Sequence, residues 1–327
     1  MRKYYLTADG GGSKLKVILY DDEFNIVRTG RVEGVNTLFK PVEMVRENVE
    51  RMMAELLGGD DEHEPITHID GASLCMVGGR DIMINAIKKH ATIDDIVSVW
   101  EGEIGMAAAL KKDGVVALSG TGSNAMFIQD YQMLSSLGGY GPLLGDEGSG
   151  YDIGLRALKS AIYAYDGRKS KTLLYDIIIE GLNIKTPMEM IWRLSNNPET
   201  RQEVARVAKL CAKAANLGDP VALKIYEKAG MELFRQTRAI IYKHFKEWDG
   251  TVVITGGAWK GCAHMLETFK SKLEHIYPHV VVYEPIFEPV AGAVIAYWTK
   301  KGMDANALGE RLKETFKPYL YTTYYKK

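Results

Sequence analysis

The segment Asp9–Ser13, Asp-Gly-Gly-Gly-Ser, restricts the fold more than any other stretch of the chain. Tyr4–Ala8 before it and Lys16–Tyr20 after it have strand-forming compositions, which predicts an antiparallel hairpin with the glycines at its tip. A dinucleotide-binding fingerprint is excluded, because Leu15 stands where its third glycine belongs and a strand, not a helix, follows. The phosphate-loop pattern G-x-x-x-x-G-K-[ST] does not occur. Such a tip can offer consecutive backbone N–H groups, with the Ser13 hydroxyl and the Lys14 ammonium, to a phosphate. Asp9 adds a carboxylate suited to magnesium. A plain turn explains the glycines but not the acid and base that flank them.

The same order of elements recurs. Behind the first hairpin the pattern predicts a strand near Ile26–Val32, a loop bearing Asn36 and Thr37, and an amphipathic helix over Val42–Leu57. Strands at Ile69–Val77 and Ile96–Trp100 follow, with helices at Asp81–Lys89 and Gly105–Lys111. A second hairpin, Val115–Leu118 and Ala125–Gln129, then surrounds Ser-Gly-Thr-Gly-Ser-Asn, again a tip of glycines and hydroxyls. Helical patterns fill Leu173–His244, with a stop at Leu217-Gly218 and a start at Asp219-Pro220. Strand and helix alternation resumes through Thr251–Ile254, the glycine turn Thr-Gly-Gly-Ala-Trp-Lys-Gly, a helix at Cys262–Leu273, a strand at Val280–Tyr283 and a helix at Val290–Trp298. The expected architecture is α/β and duplicated: residues 1–114 as one domain and 115–327 as another, with a helical insertion at about 171–246 and the last helix placed to pack back on the first domain.

Between the second hairpin and the insertion lies Gly-Gly-Tyr-Gly-Pro-Leu-Leu-Gly-Asp-Glu-Gly-Ser-Gly, residues 138–150. Glycines admit close approach of a ligand, and the adjacent carboxylates of Asp146 and Glu147 can accept hydrogen bonds from several hydroxyls, as a sugar requires. Asp146 as the N-cap of the helix over Tyr151–Tyr163 is the competing reading. The Asn36 amide, which both donates and accepts, equally suits a sugar hydroxyl or a turn.

Composition sets the class of partner. With 327 residues, 46% hydrophobic and a net charge of -1, the chain carries no electrostatic footprint for nucleic acid or a membrane surface. Its apolar runs are too short to span a bilayer and its Met-Arg-Lys start leads into a strand, so the expected location is the cytoplasm. Cys75, Cys211 and Cys262 lack metal-binding or disulfide spacing and read as buried thiols. His63 and His68 show no acidic or cysteine partner at metal-ligand spacing and read as surface or packing residues.

Taken together, "DGGGSK", "SGTGSN", "GGYGPLLGDEGSGYDIG", "ITGGAWKG" and "EPVAGAVIAY" resemble the motifs of the N-acetylglucosamine kinase and BadF/BadG/BcrA/BcrD ATPase family, over nearly the whole chain. The resemblance implies duplicated ribonuclease H-like domains of the actin-like ATPase type, facing each other across a nucleotide and sugar cleft, and a homodimer. It implies ATP and Mg2+ as cofactors, with Asp9 at the metal. Gly10, Gly11, Gly12, Ser13 and Lys14 would form one phosphate site and Gly120, Thr121, Gly122 and Ser123 the other, while Gly256, Gly257 and Ala258 would lie against adenosine. Asn36, Thr37, Asp146 and Glu147 match sugar-binding positions, and Trp259 reads as core.

In the family an aspartate after a strand acts as base toward the sugar hydroxyl. Here Glu103 is taken at that register, with Glu101 as the second candidate; the extra methylene displaces the carboxylate by about an ångström, enough to cost ~100-fold in rate. The implied activity is ATP-dependent phosphorylation of N-acetylglucosamine, glucosamine or a muramic-type sugar. The alternatives are a sugar or nucleotide sensor that has lost the base, and an ATP-driven dehydratase activator, which requires cysteines for an iron–sulfur cluster.

Overall fold

The computed structural model describes residues 2–38, 40–59, 64–195, 197, 200–245 and 248–325, and His63 lies outside them. The chain forms two compact units. The first is Met1–Lys112 with Gln129–Gln132 and Pro285–Tyr321; the second is Asp113–Ile128 with Met133–Glu284 and Thr322–Lys327. A single cut after residue 114 therefore does not describe the division, since Pro285–Tyr321 is part of the first unit.

The first unit opens with β1 (Tyr4–Gly10), β2 (Lys14–Asp21), β3 (Ile26–Glu33) and α1 (Val42–Leu57). It continues through β4 (His68–Ile69), β5 (Gly71–Met76), α2 (Arg80–Lys88), β6 (Thr92–Ile93), β7 (Ile96–Ser98) and α3 (Glu101–Ala108). Its main sheet has the order β3-β2-β1-β5-β7, in which β1 is antiparallel to β2 and parallel to β5. Alternation along the strands sends neighbouring side chains to opposite faces. Leu6, Ala8, Val17 and Leu19 join Val45, Val49, Met53 and Leu56 of α1 in one core. Tyr5, Ile18 and Tyr20 join a second core on the other face.

The second unit holds β8 (Gly114–Ser119), β9 (Ser123–Gln129), β10 (Gln132–Gly138), α4 (Gly141–Leu144) and α5 (Gly150–Tyr165). The helices α6 (Leu174–Leu182), α7 (Pro187–Ser195), α8 (Thr200–Asn216) and α9 (Pro220–His244) follow, then β11 (Thr251–Thr255), α10 (Ala263–Ile276) and β12 (Val281–Tyr283). Its sheet, β10-β9-β8-β11-β12, repeats the first: β8 is antiparallel to β9 and parallel to β11. The fold is thus the duplicated ribonuclease H-like fold of the actin-like ATPases. Strand β10 was not legible in the sequence, because it is an edge strand whose exposed residues alternate with half-buried ones and none is fully buried.

The chain closes with α11 (Pro289–Lys300) and α12 (Ala305–Thr315). Val290–Tyr297 is buried along its whole length, because α11 is packed on α3, β1 and β5 within the first unit. Gly292 makes the contact with α3 possible, since a Cβ there would stand 2.2 Å from the Ile104 carbonyl oxygen. Among the described residues, no helix is long and apolar enough to cross a membrane.

Candidate active site

Each unit gathers one set of the residues singled out from the sequence. In the first, Gly11 N donates to Lys14 O (3.1 Å) and closes the β1–β2 tip. Val77 N donates to Gly10 O and Val35 N to Gly11 O, both at 3.1 Å, so the loops after β5 and β3 are pinned to that tip. Gly34 has to be glycine, because a Cβ there would lie 2.0 Å from Gly12 O. This brings Asn36 and Thr37 beside the glycines. Asn36 is buried and its carbonyl accepts from Leu38 N (3.0 Å), which commits that end of the amide to the turn.

Asp9 stands one residue before the tip, opposite Lys16 in the β1–β2 register. Burial, reinforced by Glu288 and opposed by Lys14 and Lys16, pushes its carboxyl up to about 6. Glu288, at the N-terminus of α11, lies 3.8 Å from the Lys16 ammonium. Two hard oxygen donors, one carrying a charge that burial penalises, fit a divalent cation.

The two glutamates of α3 occupy different environments. Glu103 is 5% exposed and accepts at Oε2 from Trp100 N (3.3 Å) and from Lys300 Nζ (3.1 Å). It thus reaches back to cap its own helix and neutralises a lysine of α11. The helix begins at Glu101, not Gly105, so the two acids stand at its first and third positions and point differently. Glu101 faces the glycine tip: a Cβ on Gly11 would stand 3.7 Å from its Oε1.

In the second unit the β8–β9 tip is bound to the residues after α4. Gly150 N donates to Gly120 O (2.8 Å), Ser119 Oγ to Gly148 O (2.7 Å) and Ser123 Oγ to Glu147 O (2.7 Å). Ser123 also accepts from Gln236 Nε2 (3.3 Å), so its hydroxyl joins three segments of the unit. Asp146 does not cap α5; that role falls to Ser149, which accepts from Asp152 N. Instead Asp146, 2% exposed and held at φ +63°, accepts from Ser123 N (3.2 Å) and from Arg201 Nη2 (2.7 Å). Left-handed backbone in a non-glycine residue costs energy and persists where surroundings enforce it. Glu147, its neighbour, is exposed.

Gly256, at φ +103°, packs against the same tip, where a Cβ would lie 2.3 Å from Ser119 O. Gly257 is different: its φ is -76° and a Cβ there would meet nothing within 4 Å. Ala258 follows it in a short 3-10 turn, Ala258–Lys260. Trp259 is buried, donates to Ala117 O (3.1 Å) and meets Phe269 edge-on, so it is core.

Arg201, Gln236 and Glu288 were not found from the sequence. Glu288 opens the EPVAGAVIAY motif but was not singled out within it, and no local pattern carries Arg201, which is 55 residues from Asp146 and reaches it from α8. His68 also differs from the sequence expectation, because its Nε2 lies 3.2 Å from Asp94 and 4.0 Å from Asp70 at the far end of β1 from the tip. Folding supplies acidic partners that sequence spacing did not show. The three cysteines are buried, so none is presented for a surface cluster.

The profile of the BadF/BadG/BcrA/BcrD ATPase family matches residues 8–296, which takes in both tips, both carboxylate groups and the turn at Gly256. The chain belongs to the BadF/BadG/BcrA/BcrD ATPase family. The N-acetylmuramic acid/N-acetylglucosamine kinase of Clostridium acetobutylicum is 29% identical over 304 residues, covering 90% of this chain and 97% of that protein. The N-acetyl-D-glucosamine kinase of Dictyostelium discoideum is 25% identical over 319 residues, with coverages of 90% and 97%. Among solved structures, a ROK family glucokinase from Streptomyces griseus, in complex with glucose and AMPPNP, superposes with a TM-score of 0.55 at 14% identity. That likeness covers 90% of this chain and 97% of the glucokinase and extends the shared fold beyond the BadF/BadG/BcrA/BcrD ATPases.

Proposed function

We propose that this protein is an ATP-dependent kinase of amino sugars, transferring the terminal phosphoryl group of ATP to a hydroxyl of N-acetylglucosamine, glucosamine or a muramic-type sugar. The observation that carries the reading is the set of groups around the first glycine tip: Glu101 against Gly11, Asp9 one residue before the tip, and Asn36 and Thr37 pinned beside it. The relatives named as kinases of N-acetylmuramic acid and N-acetylglucosamine support the substrate class.

In this reading Glu101, rather than Glu103, is the general base. Glu103 turns back to its own helix start and to Lys300, whereas Glu101 is the glutamate that faces Gly11 of the tip. The sugar hydroxyl gives its proton to Glu101 as its oxygen bonds to the terminal phosphorus, and the bond from that phosphorus to the bridging oxygen breaks to release ADP. Lys14, which follows the first tip, adds a positive charge for the charged oxygens, and the glycines of that tip let phosphate approach the backbone closely. Mg2+ held by Asp9 and Glu288 would neutralise charge on the phosphates. Glu147 is the exposed carboxylate for sugar hydroxyls, and the open side of Gly257 admits the base.

The test is an ADP-release assay across amino sugars with Mg2+. Turnover with at least one N-acetylated hexosamine and little with glucose is expected; equal rates for the two would end the amino-sugar assignment. Binding of sugar and ATP without turnover would favour a sensor.

A further inference from the structure

Asp146 and Arg201 form a buried pair whose position exceeds what a structural ion pair requires. Arg201 leaves the first turn of α8 and places Nη2 2.7 Å from Asp146 Oδ2. The same nitrogen would stand 2.9 Å from a Cβ on Gly122, so the guanidinium lies against the crown of the β8–β9 tip. Asp146 Oδ1 would stand 2.5 Å from that Cβ and accepts from Ser123 N. The arginine side chain is 15% exposed and the carboxylate 2%. Acid and base therefore converge on one glycine, and the acid is held there in a costly left-handed conformation.

A guanidinium has five donors in a rigid fork and can serve a carboxylate and a phosphate together or exchange one for the other. A nucleotide whose phosphates approach Gly120–Gly122 would bring several negative charges to the arginine that now neutralises Asp146. We propose that Arg201 is the phosphate-contacting cation of the second tip and couples nucleotide binding to sugar binding through Asp146. It rests on the kinase reading above and concerns the regulation of that site. As the guanidinium engages phosphate, Asp146 Oδ2 loses its charged partner and becomes an acceptor for a sugar hydroxyl. Before nucleotide arrives, Asp146 is occupied. Nucleotide thus strengthens sugar binding, and by reciprocity sugar strengthens nucleotide binding by the same factor, in the range of about 5- to 150-fold.

The full-length protein is titrated with Mg–AMPPNP and with N-acetylglucosamine, each alone and with the other saturating. Wild type should show mutual strengthening of at least about 5-fold. Arg201→Gln should weaken AMPPNP by about 10-fold, as loss of a charged hydrogen bond predicts, and bring the coupling to about one. Arg201→Lys, which keeps the charge but not the fork, should recover part of the nucleotide affinity. The decisive variant is Asp146→Asn, which removes the carboxylate that competes with phosphate for Arg201: AMPPNP should bind several-fold tighter than to wild type. An arginine that only braces the fold would give unchanged or weaker nucleotide binding there. If Arg201→Gln fails to fold, Asp146→Asn is compared with the Asp146→Asn, Arg201→Gln double variant, which removes both charges of the pair. Equal AMPPNP affinities in that comparison overturn the proposal, as does unchanged coupling in a folded Arg201→Gln. Wild type that binds AMPPNP but no amino sugar refutes the kinase reading and the coupling, and leaves the nucleotide affinities of the variants to decide the phosphate contact.

Discussion

Replacing Asp9 with asparagine should make the ligand-free protein more stable while abolishing turnover. Burial, with Glu288 reinforcing and Lys14 and Lys16 opposing, raises the Asp9 carboxyl from 3.8 to about 6. The folded state then holds the proton more tightly than the unfolded chain does. Stability from this group is fully present below about pH 4 and is lost as pH rises through about 6. A rise of that size is worth about 3 kcal/mol at 1.36 kcal/mol per pH unit. Asp9 keeps partial contact with water, so we expect a gain of ~1–3 kcal/mol for Asp9→Asn near neutral pH and almost none near pH ~4. Urea unfolding followed by tryptophan fluorescence at several pH values measures the difference. Mg–AMPPNP should then stabilise wild type much more than the variant, because binding to the folded state alone adds stability. An Asp9→Asn protein less stable than wild type at neutral pH, or a difference that does not change with pH, would refute the reasoning.

Glu101→Gln should lower turnover by ~100- to 10,000-fold with sugar and ATP still bound; initial rates and binding titrations check it, and an unimpaired variant removes Glu101 as base. Glu103→Gln should instead cost ~1–3 kcal/mol of stability, because Lys300 and the start of α3 lose their anionic partner, with a smaller effect on rate, as unfolding and rate measurements on one preparation will report. Gly257→Val should fold normally, its φ and surroundings being permissive, yet raise the Michaelis constant for ATP; unchanged ATP dependence would remove this turn from the site. Gly148→Ala should destabilise by ~1–3 kcal/mol, since φ is +78° and the added Cβ would stand 2.1 Å from Leu233 Cδ2; a melting temperature equal to wild type would contradict it.

The amino-acid sequence by itself determined the local features whose physics is local. Triple glycine between two strand-forming runs reads as a hairpin tip, and a second glycine-bearing tip, Gly120-Thr121-Gly122, lies between β8 and β9. The amphipathic period over Val42–Leu57 gave α1 to the residue, and Asp219-Pro220 marked the cap and first turn of α9. What lay beyond reach depends on groups far apart in the chain. Glu101 and Glu103 are both acids in one short stretch; only the start of α3 and the arrival of Lys300 from α11, 197 residues away, distinguish the one beside the glycines from the one bound in an ion pair. Asp146 read equally as cap or ligand until Ser149 took the cap and Arg201 the carboxylate. His68 acquired acidic partners because β4 and β6 pair in parallel and bring the Asp94 that follows β6 alongside it. Helix α11 could be read from its apolar pattern, but its place on the first sheet is a matter of packing: a helix buried all round must be covered on several sides, and the assembled α3, β1, β5 and α12 provide that cover.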